Sequence, residues 1–121
     1  MKNLIIDLDG TITIDNKDKD YFEKDVNIKV VKKLYEYQKL GFKIVIFTAR
    51  NMNTHKGDLK KISKYTLPVI QEWLTSNKIP HDEIIVGKPW CGFDGFYVDD
   101  KSIRPDEFSN LSYEHIKKLI K

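Results

Sequence analysis

Two aspartates that stand two positions apart follow the first apolar run of the chain. The run Leu4-Ile5-Ile6 leads into Asp7-Leu8-Asp9-Gly10-Thr11. Residues two apart on an extended strand point the same way, so both carboxylates can reach into one crevice. Gly10 permits a sharp turn directly after them. An isolated Asp-X-Asp-Gly is more often a solvated Asx turn, so the other strand ends must decide between these interpretations.

Three more apolar runs end at polar side chains. Ile44-Val45-Ile46-Phe47 leads into Thr48-Ala49-Arg50, Ile84-Ile85-Val86 leads into Gly87-Lys88-Pro89, and Gly95-Phe96-Tyr97-Val98 leads into Asp99-Asp100. The carboxyl ends of parallel strands form the edge at which open α/β sheets bind ligands. We therefore expect these side chains to meet there, with Thr48 beside Asp7.

Clustered carboxylates of this kind need a cation. Two like charges about 4 Å apart repel by roughly 4 kcal/mol at an effective dielectric near 20. Oxygen donors without a nearby cysteine or a pair of histidines favour Mg²⁺. A dication beside the Lys88 ammonium and the Thr48 hydroxyl suits a phosphate group. The alternative for Lys88 is a solvated surface lysine.

The elements that must position these residues alternate between strand and helix. The predicted strands lie at Met1–Gly10, Phe42–Phe47, Ile84–Val86 and Gly95–Val98, and the predicted helices at Val26–Leu40, from Thr66 past Leu74, and after Ser112, with Ile116, Leu119 and Ile120 inward. This alternation is typical of an α/β fold, a Rossmann-like doubly wound parallel sheet. Thr11–Asp25, with Lys17 among its charges, reads as a solvated loop or small hairpin without a catalytic role. Asn51–Tyr65 reads as a loop with a short helical piece.

Composition narrows the class of protein. A chain of 121 residues suits a single domain over 1–121, with 40% hydrophobic and 32% charged residues. The net charge of +3 is interleaved along the chain, so we expect no nucleic acid partner. Its single cysteine, Cys91, cannot form an internal disulfide and indicates a reducing compartment. We expect a cytoplasmic protein, since no apolar stretch reaches membrane-spanning length.

The four strand ends resemble, in order and over essentially the whole chain, the motifs of the haloacid dehalogenase (HAD) superfamily of phosphatases. The resemblance implies that Asp7 attacks phosphorus to form an aspartyl phosphate, while Asp9 first protonates the leaving oxygen and then activates water. Lys88 would steady Asp7 and its phosphoryl group. Mg²⁺ would sit on Asp7, the Asp9 carbonyl and Asp99, with Asp100 bound directly or through water.

The same resemblance implies where the substrate lies. The positions expected to contact phosphate or substrate are Leu8, Thr48, Ala49, Arg50, Lys88, Trp90 and Arg104. The first gap is too short for an inserted cap domain and the second holds one clear helix, so we expect a capless, HAD-like enzyme. The open active site of such an enzyme would admit a large substrate. Alternatively, a second subunit or the Asn51–Tyr65 loop would complete the site. A homo-oligomer is therefore an open alternative.

More narrowly, the segments after Thr48, Gly87 and Asp99 are similar to small phosphatases encoded with capsule and surface-polysaccharide synthesis. This similarity implies a phosphorylated sugar or sugar-derived precursor as substrate. Arg50 and Arg104 could fork onto a second anionic group of such a substrate. Arg50 could equally pair with a structural acid. Further candidate selectors are Asn53, His55 and Lys101.

Other functions fit the residues less well. A phospho-accepting receiver domain also gathers acids, a threonine and a lysine around Mg²⁺, but there the lysine comes late, whereas Lys88 precedes Asp99. A nucleotide or a nucleic-acid end is an alternative phosphate-bearing substrate. Cys91 paired with His115 is a weaker candidate for the nucleophile, since no third orienting group is visible.

For Asp9 to act as an acid at neutral pH, its pKa must be raised, which burial could supply.

Overall fold

Strands and helices alternate along the computed structural model, which describes residues 2–15 and 18–121. The order is β1 (Lys2–Ile6), α1 (Ile28–Lys39), β2 (Phe42–Thr48), α2 (Leu59–Lys61), a π-helical turn (Ile62–Thr66), α3 (Leu67–Ser76), β3 (Glu83–Val86), α4 (Pro105–Asn110) and α5 (Tyr113–Leu119). Met1 of the first predicted strand and Lys17 of the predicted charged segment lie outside the described residues.

The strands of the described chain form one parallel sheet in the order β1-β2-β3. Ile6 pairs with Ile46, and Thr48 pairs with Val86, so the three carboxyl ends lie at the same edge. The predicted α/β class with a parallel sheet is confirmed in this form, a mixed α/β fold of Rossmann-like type. β1 and β2 are joined by a crossover through α1, as such parallel pairs require.

The predicted fourth strand is absent from its segment. Gly95–Val98 has no strand assignment in the structure, and Phe96 and Val98 are 79% and 88% exposed. A strand requires a neighbour for its backbone hydrogen bonds, and an apolar run alone does not supply one. The expectation of a fourth strand was therefore wrong for this chain.

Helix α1 covers the sheet with an apolar stripe. Val30 and Leu34 are fully buried, as are Ile44 and Ile46 of β2 beneath the helix layer. Asn27 begins the helix by accepting a hydrogen bond from the Val30 amide through its side chain, at 3.5 Å. This burial specifies the register of β2, because a shift by one residue would turn its buried side chains towards the other face of the sheet.

The segment from Leu59 to Ser76 is helical throughout, because the π-helical turn joins α2 to α3. The sequence predicted that the second long helix begins at a cap on Thr66 or a neighbour, but the Thr66 hydroxyl donates to Asn51 Oδ1 at 2.7 Å. The cap is Asp58, whose carboxylate accepts from the Lys60 and Lys61 amides. Trp73, expected in the core, is 1% exposed.

The chain divides into two compact units, Met1–Trp90 and Cys91–Lys121. A single domain over 1–121 stays a prediction. The second unit contains α4 and α5, and Ser112 begins α5 by accepting from the His115 amide at 3.2 Å, as expected. Ile116 is buried, but Leu119 is 54% exposed, so its predicted inward position was wrong.

None of the helices in residues 2–15 and 18–121 combines the length and apolar character needed to cross a membrane.

Candidate active site at the carboxyl edge of the sheet

A tight turn after β1 presents the two leading aspartates. The Leu8 carbonyl accepts hydrogen bonds from the amides of Thr11, Ile12 and Thr13, at 2.9 to 3.2 Å. Gly10 adopts φ +78°, the left-handed conformation that a side chain resists, and its amide donates to Thr13 Oγ1 at 3.1 Å. Leu8 is fully buried between the aspartates, so this turn is anchored in the core.

Asp7 lies half-buried in this turn with three partners. The Thr11 hydroxyl donates to Asp7 Oδ2 at 3.2 Å, and the Lys88 ammonium lies 3.7 Å from Asp7 Oδ1. Burial raises the pKa of Asp7, although Lys88, the Leu8 amide and Thr11 counteract part of that effect. The result is a carboxylate that is held in place but incompletely neutralised.

Lys88 follows β3, which pairs with β2, and β2 in turn pairs with β1, the strand that precedes Asp7. This pairing brings Lys88 to the edge of the sheet where Asp7 lies. The Lys88 amide donates to the Thr48 carbonyl at 3.1 Å, which extends the β2–β3 pairing past Val86. Gly87 has φ +87°, and a Cβ there would lie 2.7 Å from Leu59 Cδ2. The left-handed φ favours glycine immediately before the lysine, and a Cβ there would also displace the Leu59 side chain.

Asp9 is paired far more strongly than Asp7. Arg50 donates Nε to Oδ2 at 2.9 Å and Nη2 to Oδ1 at 2.7 Å, a bidentate arrangement. Lys24 Nζ lies 3.3 Å from the same Oδ1. Burial opposes ionisation of Asp9, but Arg50 and Lys24 outweigh it and lower the pKa of this carboxyl. We expected burial to raise the pKa of Asp9. That expectation is wrong for the protein without substrate, because the two cations beside the buried carboxylate lower its pKa.

Arg50 is itself buried, with a side chain that has no solvent exposure. The Tyr21 ring lies over its guanidinium, 4.2 Å from Cζ to the ring centroid. Its Nη1 is buried without a hydrogen-bond partner among the described residues. The sequence left two partners open for Arg50, an anionic group of the substrate or an acid of the protein. In this structure Arg50 pairs with an acid of the protein, Asp9.

Lys24 was missed from the sequence, where Thr11–Asp25 was given no catalytic role. The two ends of this segment are joined by an isolated antiparallel bridge between Thr13 and Val26, and the Ile14 amide donates to the Asp25 carbonyl at 2.9 Å. The Trp73 indole N–H donates to the Lys24 carbonyl at 3.0 Å. The alternation of charges gave no sign that one lysine is turned inward, and only the fold identifies it.

The remaining predicted contacts of β2 lie at the same edge. Thr48 is 1% exposed, and its hydroxyl oxygen accepts from the Arg50 amide at 3.1 Å. Ala49 is half-buried between them. These positions fix the backbone that leads from the strand to the Arg50 guanidinium.

The other predicted site residues lie in later segments of the chain. Trp90 is 40% exposed at the end of the first unit, and Asn53 and His55 lie in the loop before α2. In the second unit the predicted site residues are all exposed: Asp99, whose carboxylate accepts from the Lys101 amide at 2.9 Å, Asp100, Lys101 itself, and Arg104 at the start of α4. Within the described part of one chain, no three acidic, histidine or cysteine side chains form a group that could hold a metal ion.

The assembled residues form a small charged edge. Two carboxylates, Asp7 and Asp9, lie among three cations, Lys24, Arg50 and Lys88, at the ends of parallel strands. Such an arrangement can place one nucleophilic carboxylate, one proton-exchanging carboxylate and an excess of positive charge around an anion.

Comparison with known proteins identifies one close structural match. The crystal structure of an MCSG target protein from Vibrio cholerae is 52% identical to this chain, with a TM-score of 0.96, covering 99% of this chain and 97% of the other. The two chains belong to one family. No protein-family model and no curated protein matches the sequence. Asp7, Asp9 and their partners must therefore be interpreted from their own chemistry.

Proposed function

We propose that the protein is a magnesium-dependent phosphatase of the HAD superfamily that hydrolyses a small phosphomonoester through an aspartyl phosphate on Asp7. The observation that carries this proposal is the pairing of Asp7 with Lys88 at 3.7 Å, next to an Asp9 held by Arg50. Asp7 is the better nucleophile of the two acids, because no guanidinium occupies its oxygens.

In the first step, an oxygen of the Asp7 carboxylate attacks phosphorus and the ester P–O bond breaks. The leaving oxygen takes a proton from Asp9, and Lys88 balances the charge of the phosphoryl group on Asp7. In the second step, water attacks phosphorus and gives its proton to Asp9. The acyl phosphate bond breaks, which releases inorganic phosphate and restores Asp7.

The lowered pKa of Asp9 suits the second step, in which it accepts a proton. For the first step, Asp9 must be protonated while bound to Arg50 and Lys24. A phosphoryl group close to Asp9 raises the pKa of Asp9 by repulsion between like charges. It also offers an oxygen to the unsatisfied Arg50 Nη1. Substrate binding would therefore loosen the Arg50 fork and turn Asp9 from a base into an acid.

Oxygen donors of the chain fit Mg²⁺, which prefers carboxylates, carbonyls and waters. The residues that would hold it are Asp7, Asp9 through its carbonyl, Asp99 and Asp100. When bound, Mg²⁺ supplies charge that neutralises the phosphoryl oxygens.

The substrate is proposed to be a phosphorylated sugar or a sugar-derived precursor of surface polysaccharide, handled by a capless enzyme in the cytoplasm. The cations Lys24, Arg50 and Lys88 around Asp7 and Asp9 suit a polar metabolite whose phosphate provides most of the binding energy. Trp90 and Arg104 remain proposed substrate contacts.

Phosphate release from a panel of phosphomonoesters tests the function directly. The panel contains an aryl phosphate, sugar phosphates, amino-sugar phosphates and nucleotides, each assayed with Mg²⁺ and with a chelator. We expect turnover with Mg²⁺, loss of turnover in chelator and recovery when Mg²⁺ is added back. No release from any member, or full activity in chelator, would contradict the proposal.

A further inference from the structure

Within the unit Met1–Trp90, the charged segment Thr11–Asp25 turns one lysine, Lys24, against the second aspartate. Lys24 Nζ lies 3.3 Å from Asp9 Oδ1, and the lysine side chain is only 11% exposed. A lysine in a charged surface segment normally extends its ammonium into water, because burying that charge costs free energy unless it is paired. The fold therefore holds this side chain inward.

Contacts to both the backbone and the side chain fix the position of Lys24. The Trp73 indole N–H donates to the Lys24 carbonyl at 3.0 Å, which ties the lysine to α3. The ammonium lies 5.1 Å from the centroid of the Tyr21 ring, the same ring that lies over the Arg50 guanidinium. The exposed Asp15 carboxylate, 3.7 Å from Nζ, adds a weaker attraction. Lys24 is thus held at Asp9 by more than its own charge.

The hydrogen bonds to Asp9 leave its two oxygens in different situations. An ionised carboxylate has about four acceptor positions, two on each oxygen. Arg50 fills one position on each, through Nη2 to Oδ1 at 2.7 Å and through Nε to Oδ2 at 2.9 Å. Lys24 fills the second position on Oδ1. Arg50 Nε is the sole donor to Oδ2 among the residues that the structure describes, so one acceptor position is left, and it is on Oδ2.

We propose that Lys24 is a positioning residue of the phosphatase reaction, which occupies Oδ1 of Asp9 and so leaves Oδ2 as the oxygen that exchanges the proton. This inference rests on the proposed function. In the first step, the O–H bond on Oδ2 breaks while the ester P–O bond breaks and the leaving oxygen gains the proton. In the second step, water attacks phosphorus and its proton returns to Oδ2.

Lys24 and Arg50 differ in what each does when a phosphoryl group arrives. Arg50 Nη1 is buried without a hydrogen-bond partner among the described residues, so a phosphoryl oxygen competes with Asp9 for the guanidinium. The Lys24 ammonium is a single point charge on a stem held by Trp73 and Tyr21, and it stays on Oδ1 while the Arg50 fork loosens at Oδ2. Lys24 therefore keeps Asp9 oriented during the step in which Asp9 carries the proton.

The dependence of the rate on the leaving group tests this role. A nitrophenolate departs from phosphorus with little help from an acid, whereas a phenolate gains more from a proton. We compare kcat/KM, which covers the steps up to release of the alcohol. We expect Lys24→Met to lower kcat/KM for phenyl phosphate about 10-fold or more, and for p-nitrophenyl phosphate by less than about 3-fold. Lys24→Arg, which keeps a cation, should restore most of the loss.

The matched control is Lys19→Met, which removes another lysine of the same segment, paired with Asp25 at 3.0 Å. This control should leave kcat/KM for both esters unchanged. Equal losses on the two esters in Lys24→Met, or no loss on either, would overturn the positioning role and leave the proposed function intact. A wild type that hydrolyses neither ester with Mg²⁺ would instead refute the proposed function.

A crystal structure of the wild-type protein with Mg²⁺ and vanadate gives a readout that does not depend on turnover or on the folding of a variant. Vanadate adopts the trigonal bipyramidal geometry of phosphoryl transfer, with an apical oxygen where the leaving oxygen lies. We expect this oxygen within hydrogen-bond distance of the Asp9 oxygen that Lys24 does not contact. An apical oxygen on the Lys24-bound oxygen, or a Lys24 ammonium that has left Asp9, would contradict the assignment. Vanadate that does not bind beside Asp7 would count against the proposed function.

Discussion

The segments Leu4–Asp9 and Phe96–Asp100 carry the same kind of sequence, an apolar run followed by two acids, and they have different structures. The first is a strand whose acids lie among cations, and Ile6 and Leu8 are buried. The second has no strand assignment, and its apolar side chains are exposed. The first is paired with β2 along its length, so the difference shows that a strand in this fold depends on a neighbouring strand as much as on its own residues.

The largest effect should come from removing one acid of each segment. Asp7→Asn should lower turnover about 10⁴-fold or more, because the nucleophile is lost. Asp99→Asn should lower it by about 10- to 100-fold, with restoration at high Mg²⁺, as expected for a weakened metal site. Steady-state assays measure both, with the exposed Glu72→Gln of α3 as control. Equal activity of Asp99→Asn and wild type would contradict a role for the second segment in the active site.

The next effect concerns the cations that surround the first pair of acids. Arg50→Ala should lower the free energy of unfolding by about 3 kcal/mol, because Asp9 keeps Lys24 but loses a buried bidentate partner. Lys101→Ala, beside Asp99 on the surface, should change it by about 0.5 kcal/mol or less. Urea denaturation followed by circular dichroism gives both values. Similar losses in the two variants would mean that the Asp9–Arg50 pair has no special role in stability.

A smaller effect separates Asp7 from Asp9 by pH. The folded pKa of Asp9 is lowered from 3.8, so Asp9 contributes stability above that pH and loses it as the pH falls through the folded value. The folded pKa of Asp7 is raised from 3.8, so its contribution is present below that pH and is lost as the pH rises through the folded value.

Asp9→Asn should therefore destabilise the protein at pH 7, and the deficit should shrink as the pH falls below 3.8. For Asp7→Asn, stability relative to wild type should increase as the pH rises from 3 towards neutrality. Urea denaturation across this pH range measures both differences. Parallel curves for the two variants would contradict the opposite shifts.

The smallest effect tests how the first unit holds Lys24. Trp73→Phe removes the indole N–H that donates to the Lys24 carbonyl, at a cost of about 1 kcal/mol. Because the lysine approaches Asp9, turnover should fall more than stability alone explains. Trp73→Phe with unchanged activity would show that the segment Thr11–Asp25 positions Lys24 without the tryptophan.

The sequence predicted the first three strands because each contains a short apolar run, and each run pairs with a neighbouring strand. It also predicted α1, since Val30 and Leu34 recur on one face of a helix. It failed at Gly95–Val98, where the residues have the pattern of a strand but the segment forms none. Leu119 was misplaced because helical spacing alone does not say how far the covered face of a helix extends.

At the candidate site, the strand-end side chains were identifiable by their order, but their partners were not. The sequence did not decide whether Arg50 binds the substrate or an acid of the protein, whereas in the structure Arg50 lies 2.7 Å from Asp9. Lys24 had no signal at all, since a charged loop places inward and outward side chains with the same residue types. The pKa of Asp9 was misjudged for the same reason, because its sign depends on cations brought from distant parts of the chain.

Reduction of the trapped enzyme tests the central claim most directly. Enzyme mixed with substrate and Mg²⁺ is quenched and treated with borohydride, which reduces an acyl phosphate of aspartate to homoserine, and peptides are then sequenced by mass spectrometry. Modification at Asp7 in the wild type and none in Asp7→Asn is the predicted result. Sustained phosphate release with Asp7 unmodified, or with the modification at another residue, would contradict the assignment of Asp7 as the nucleophile.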